Sequence, residues 1–283
     1  MQKIYSHAAE EEAKRRNQLP IRAKSTISDL LALLAAFGLA GMFVVTRWNL
    51  PAYSLRRWGV AFGITSLFAV AARVAHGVDW SGALAGWAVA FVLAASGLRL
   101  FVILLLVFAV TLAATRTGKR RKQELRTAEA PSGRSASQVM ANLGMAMLIV
   151  TFGPSGALVL AMAALAEAAA DTSSSEIGMA FPGRTVLLTT GKPVESGIDG
   201  GISLIGSAAA VGAAFTVSLA ALLLQLLQPR QLLIVVVAGV AGMIFDSLLG
   251  ALFERKGYLN NDAVNLLGTG FAVVVAQILA TSL

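Results

Sequence analysis

With 283 residues, 57% of them hydrophobic against 13% charged, and a mean hydropathy of +0.73, the chain carries more apolar surface than a soluble fold can hide. The absence of Cys excludes thiol nucleophiles, thiolate metal sites and disulfides. The net charge of +8 gathers beside apolar runs and not beside aromatic stacking platforms, which points to membrane orientation and away from nucleic acid.

A hydrocarbon core of about 30 Å needs about 20 apolar residues per helix. Residues 1–28 form a charged tail in which Ser6 can cap a helix and Glu10/Lys14, Glu11/Arg15 and Glu12/Arg16 stand four apart, so a solvated helix is expected. The first apolar run begins near Ser28, behind too long a tail for a cleaved secretory signal, and is read as a lasting anchor. Spans are expected at 29–46, 58–75, 81–97 and 99–116, with Gly82 and Gly86 allowing close helix approach. His76 has only His7 as a second histidine, no ligand-spaced partner for zinc, and is read as interfacial.

Arg116, Lys119, Arg120, Arg121, Lys122, Arg126 and Arg134 make the next loop strongly basic, which by the positive-inside rule faces the cytoplasm. Further spans are expected at 137–152, 155–170, 201–227, 231–252 and 262–282, about nine in all. That threading leaves only Arg47, Arg56, Arg57, Arg99 and Arg230 outside, and brings the polar loops 117–136, 171–200 and 253–261 to one face. The expected fold class is therefore all-α: a polytopic membrane helical bundle, with residues 29–283 as a single transmembrane catalytic domain and a polar site at the cytoplasmic face.

Glu167 and Asp171 are four apart and share a helical face, and Glu176 follows just beyond the expected helix end; their oxygens suit Mg²⁺. A carboxylate within a span costs about 2.5–3.5 kcal/mol to insert, so Glu167 and Asp246 need a polar cavity, a partner or a metal. Asp171 can equally end one helix and cap the next turn. From Thr189 to Gly201 the chain combines Lys192, Gly197, Asp199, Gly200 and Gly201 ahead of a helix, parts that can bind phosphate and metal. Pro193 after Gly191-Lys192 excludes a P-loop, and an ordinary Gly-rich turn at the membrane edge stays open. Arg134, Gln138 and Asn142 recur every four residues, a stripe that could read phosphate or a lipid headgroup. Asp246-Ser247, Asp262 and Asn265 complete the set, with Asp262 also a natural helix cap. Acids, amides and bases converging on one face are what phosphoryl transfer to a lipid requires; a transporter, motivated by Glu167 and Asp246, is the competing reading.

The segments Gly133-Arg134-Ser135 through Asn142, Ala170-Asp171-Thr172 through Gly178, Thr190-Gly191-Lys192-Pro193 through Gly201, Asp246 through Gly250 and Asn261 through Asn265 together resemble the transmembrane-protein-19-like family (domain of unknown function 92). The resemblance covers about residues 80–283, and the family includes the phytyl-phosphate kinases of tocopherol synthesis. More distantly, Asp171-Thr172 and the Lys- and Gly-containing loop are similar to CTP-using membrane enzymes such as dolichol kinase and phosphatidate cytidylyltransferase. The chain departs from the family pattern in the serines 173–175. The resemblance implies a kinase that transfers the γ-phosphate of CTP, or another nucleoside triphosphate, to an isoprenyl monophosphate, with Mg²⁺ as cofactor. Its metal set would be drawn from Asp171, Glu176, Asp199, Glu167, Asp246 and Asp262. Lys192 and Arg134 would neutralise charge, with Gln138, Asn142, Asn265 and the glycines 197, 200 and 201 around the phosphates. Cytidylyl transfer is the enzyme alternative. Membrane lipids, a bacterial inner-membrane location and, as an option, a homodimer complete the expectations.

Overall fold

This computed structural model describes residues 21–125, 132–154, 156–181 and 183–282; residues 1–20, most of the tail helix expected over residues 1–24, and part of the basic loop, 126–131, lie outside them. Helices α1 (Ile21–Arg47), α2 (Leu55–Val74), α3 (Trp80–Ser96) and α4 (Leu98–Arg116) precede a short α5 (Lys119–Glu124), then α6 (Ala136–Phe152) and α7 (Leu158–Ala180). Strands β1 (Thr185–Leu187), β2 (Pro193–Val194) and β3 (Gly201–Ser203) lead into α8 (Leu204–Leu223). Helix α9 (Pro229–Leu249) runs on as a π turn (Gly250–Glu254), and α10 (Asn261–Ser282) follows.

Helices over 26–47, 98–116, 204–223, 229–254 and 261–282 are long and apolar enough to cross a membrane, and those at 80–96 and 136–152 are shorter apolar helices. Leu31, Leu34 and Val45 of α1 and Leu67 and Val70 of α2 are exposed, a surface suited to lipid because a helix satisfies its own backbone. Local chemistry sets the ends. Ser54 Oγ accepts from the Arg57 amide, Asp79 Oδ1 accepts from the Gly82 amide, and Ser135 and Gln138 form a reciprocal capping box on α6. Arg57 closes the other end of α3, donating from Nε to the Ala95 carbonyl and from Nη2 to the Ser96 carbonyl, both at 2.6 Å.

Helix α7 lies at the centre, packed by α4, α6, α8, α9 and α10. All residues from Ala161 to Ala170 are buried, and the alanines among them let neighbouring backbones approach closely. The neighbours answer with glycine: a Cβ on Gly239 would lie 3.1 Å from the Ala166 side chain, and one on Gly242 would lie 2.5 Å from Glu167 Cγ. Toward the polar end, a Cβ on Gly206 of α8 would meet the Ser174 carbonyl at 2.6 Å.

Three expectations change. The apolar helix does not stop at Asp171; α7 continues to Ala180, so Asp171 and Glu176 are helical side chains. The Ser/Thr run stays helical because its hydroxyls bond back into their own turn, Ser175 Oγ donating to the carbonyls of Asp171 (3.1 Å) and Thr172 (3.2 Å). Nor is the fold all-α: between α7 and α8 lies a small antiparallel sheet of order β2-β1-β3, with Thr185 opposite Val194 on one side and Ser203 on the other. Gly191, at φ +65°, turns β1 back into β2, its amide donating to the Leu187 carbonyl at 2.8 Å. Finally, Arg134 is not on the α6 helix. It precedes the helix in a parallel bridge to Val78, where its carbonyl accepts from the Asp79 amide (2.9 Å) and its amide donates to the Gly77 carbonyl (3.2 Å).

Gly82 sits under that bridge, where a Cβ would come 2.1 Å from the Arg134 carbonyl oxygen, while a Cβ on Gly86 would meet nothing within 4 Å. The two glycines expected to act alike are thus different. Gly82→Ala should cost about 1–3 kcal/mol through backbone displacement, whereas Gly86→Ala should be neutral or gain about 0.5–1 kcal/mol from helix propensity; unfolding midpoints of the two variants in the same detergent check this.

Candidate functional site

The polar ends of α6, α7, α9 and α10, together with the β1–β3 segment, enclose a cavity of about 400 Å³. Arg134, Gln138 and Asn142 line one wall; Asp171, Thr172, Ser175 and Glu176 of α7 line another. Gly197, Asp199, Gly200, Gly201 and Ser203 come from the loop and β3, Asp246, Ser247, Gly250 and Glu254 from α9 and its π turn, and Asn261 and Asn265 from α10. Side chains from segments far apart in sequence therefore meet at one end of the bundle.

Arg134 Nη2 lies 3.4 Å from Thr172 Oγ1, which aims the guanidinium across the cavity toward α7. Asn142 Nδ2 donates to the Gln138 carbonyl at 2.9 Å. Its neighbours assign the orientation of the Asn265 amide: nitrogen 3.2 Å from Asp246 Oδ2 and 3.3 Å from the Asn261 carbonyl, oxygen 3.1 Å from Asn142 Nδ2. The result is a relay of amides from α6 through α10 to the Asp246 carboxylate. Asp199 stands at the rim; burial against the wall raises its carboxyl above the ordinary aspartate value, with Arg255 opposing that shift. The loop carrying it is seated on α9. Gly200, at φ +76°, comes so near Ala251 that a Cβ would lie 2.4 Å from the Ala251 Cβ, so no other residue fits there.

Glu176 has a partner that the sequence does not announce. Lys122 of α5, only 1% exposed, donates from Nζ to Glu176 Oε2 at 2.5 Å and to the carbonyls of Ala114 (3.2 Å) and Thr115 (2.6 Å). This ties the basic segment to the site helix and takes Glu176 out of the set of open carboxylates. Glu167 lies deeper, below the cavity lining, with its Oε1 buried and lacking a hydrogen-bond partner; a Cβ on Gly268 would lie 2.6 Å from that oxygen and 3.2 Å from Asp246 Cβ.

Of the expected site residues, Arg134, Gln138, Asn142, Asp171, Glu176, Gly197, Asp199, Gly200, Gly201, Asp246 and Asn265 line the cavity, and Glu167, Lys192 and Asp262 do not. Lys192 is exposed on the β1–β2 turn, and Asp262 lies in the first turn of α10, where Asn260 Oδ1 supplies the cap to the Ala263 amide. Glu254, Thr172 and Ser203 are additions. Glu254 carried a readable signal, since Asp246, Gly250 and Glu254 are successively four apart; the Lys122–Glu176 pair carried none. Among the described residues, no three His, Cys, Asp or Glu side chains form a ready metal cage. Mg²⁺ bound through one or two carboxylates and substrate phosphates needs no such cage, so the open acids of the cavity fit it.

A helical integral membrane protein with an acidic, amide-lined cavity at one end of its bundle is the class that fold and site define. The chain belongs to the family described as integral membrane protein DUF92, which it matches over residues 63–273. It is 37% identical to an uncharacterized membrane protein of Methanocaldococcus jannaschii over 176 residues, 61% of this chain and 73% of that protein. It is 29% identical to protein PGR of Arabidopsis thaliana over 225 residues, 69% and 78% of the two chains. Protein VTE6, chloroplastic, of Arabidopsis thaliana is 36% identical over 109 residues, 38% of this chain and 33% of that one. No solved structure matches the chain.

Removing one partner of a buried ion pair strands the other charge, at about 3–5 kcal/mol. Lys122→Met should therefore be strongly destabilised, and Lys122→Met with Glu176→Gln should recover most of the loss. A double-mutant cycle of unfolding free energies reads this coupling.

Proposed function

We propose that the protein is a membrane phosphotransferase that moves the γ-phosphate of a nucleoside triphosphate, CTP by resemblance, to an isoprenyl monophosphate such as phytyl or geranylgeranyl phosphate. One observation carries the reading: Arg134, the carboxylates Asp171, Asp199, Asp246 and Glu254, and the amides Asn142 and Asn265 surround a single cavity in an integral membrane bundle. The sequence resemblance to phytyl-phosphate kinases supports it, as does the partial similarity to VTE6.

In this reaction an oxygen of the acceptor phosphate attacks the γ-phosphorus. The bond from that phosphorus to the β–γ bridging oxygen breaks, and the nucleoside diphosphate leaves with its electron pair. The acceptor is already ionised, so no strong general base is needed, and catalysis reduces to positioning and charge stabilisation. Arg134 grips phosphate oxygens through its planar donor fork. Asn142 and Asn265, whose amide protons go to Gln138, each other, Asp246 and Asn261, act by fixing the Asp246 carboxylate at the wall. Asp171 and Asp199 would hold Mg²⁺, with Asp246 and Glu254 on the same lining; when bound, the ion would neutralise charge on the phosphate oxygens. Lys192 and Asp262 are left out of this site.

The reading includes nine spans, a cytoplasmic cavity and residence in a bacterial inner membrane. Its support is the concentration of Lys and Arg in the segments that share the cavity's end. A transporter remains the second reading, favoured by Glu167, whose buried Oε1 has no partner, lying near Asp246 between membrane helices.

Purified protein in lipid nanodiscs, given Mg²⁺, a prenyl monophosphate and CTP or ATP labelled at the α or γ position, tests the proposal. Label from the γ position should reach the lipid; label from the α position instead means cytidylyl transfer, and no labelled lipid with any pair refutes both. Asp171→Asn and Asp199→Asn should each lower turnover by about 100-fold or more while keeping the parent's unfolding midpoint, measured on the same samples.

A further inference from the structure

We propose that the apolar groove beside the cavity, walled by α2, α3, α4 and α6, holds the hydrocarbon chain of the acceptor phosphate; this rests on the phosphotransferase reading. The groove and the cavity adjoin, with Arg134, Gln138 and Asn142 lining both. A single ligand with an anionic head and an apolar body would fill the pair, with its phosphate at Arg134 and its first carbons at Gly82.

Small residues keep the groove clear: Ala69 and Ala72 of α2 face Gly82, Ala83 and Gly86 of α3 across it. Gly86 is the informative one. It lines the groove, and a Cβ there would meet no atom within 4 Å, so the position is not reserved for helix packing. Gly82, one turn nearer the cavity, is already committed to the Arg134 carbonyl. At the far end Phe68 forms the floor, braced edge-on by Phe101 (5.7 Å) and Phe108 (5.3 Å).

The lining runs from His76, just past the end of α2, back to Phe68 on α2 and from Thr115 back to Leu104 on α4. At 1.5 Å per residue this is a depth of roughly 12–16 Å. An extended prenyl chain advances about 5 Å per five-carbon unit, from ordinary carbon–carbon bond lengths. The groove therefore reads about the first three units, and a longer chain continues past Phe68 into the bilayer. A five-carbon acceptor, about 5 Å long, stops short of Gly86, which lies about 6 Å beyond Gly82 along α3.

Gly86→Leu is the test, since leucine favours a helix over glycine and its side chain enters empty space. Its kcat/KM for geranylgeranyl monophosphate should fall by about tenfold or more while that for dimethylallyl monophosphate stays within about twofold. Equal loss on both acceptors, or loss on neither, overturns the assignment. A prenyl monophosphate with a diazirine at its third unit separates this from failure of the kinase reading. Photolabelling in the segment 68–72 that Gly86→Leu abolishes supports the groove even if no phosphate is transferred. Labelling spread over the lipid-facing helices overturns it, and so does groove labelling that excess phosphatidylglycerol removes, because the occupant is then a bilayer acyl chain.

Discussion

A carboxylate can sit at membrane depth only if protein, and not lipid, surrounds it, and this condition shapes the bundle around α7. From Ala161 to Ala170 that helix has no lipid-facing side. Its alanines and the facing Gly239, Gly242 and Gly268 bring backbones close enough that Glu167, Asp171 and Asp246 are enclosed without bulky spacers. Small residues here do two things at once: dispersion contacts hold the helices together, and the same close approach shuts hydrocarbon out of the polar interior.

Charge in the cavity follows from the same packing. Lys122 neutralises Glu176 from behind, leaving Asp171, Asp199, Asp246 and Glu254 to face the lumen with Arg134. A lumen of that sign repels anions unless cations enter with them. Arg134 is placed by its backbone, through the bridge to Val78 over Gly82, and not by helical periodicity. Its position survives only while α3 stays close.

The apolar helices were legible because hydrocarbon thickness dictates their length, and the cavity's membership was largely legible because topology brings the polar segments 117–136, 171–200 and 253–261 to one end. What misled was local. Asp171-Thr172-Ser173-Ser174-Ser175 reads as a helix stop, yet hydroxyls can bond to their own turn as well as cap another, and Gly206 packing against Ser174 favours the helix. The strands β1 to β3 have only two or three residues each, too few for a period to emerge. Lys122 looked like one basic residue among seven because a pairing 54 positions away leaves no trace in spacing. Lys192 was attractive for its Gly-Lys context, but the hairpin carries it outward.

The π turn after α9 bears on which acids can act together. In a helix of 3.6 residues per turn, positions four apart drift round the axis by about 40°, so two such steps would carry Glu254 well off the line of Asp246. The wider turn from Gly250 to Glu254 rotates less per residue and cancels much of that drift. Its effect is one of phase: an ordinary α-helix of the same length would place Glu254 about 80° round the axis from Asp246, whereas deleting one residue between Gly250 and Glu254 would leave it seven positions on and only about 20° out of line.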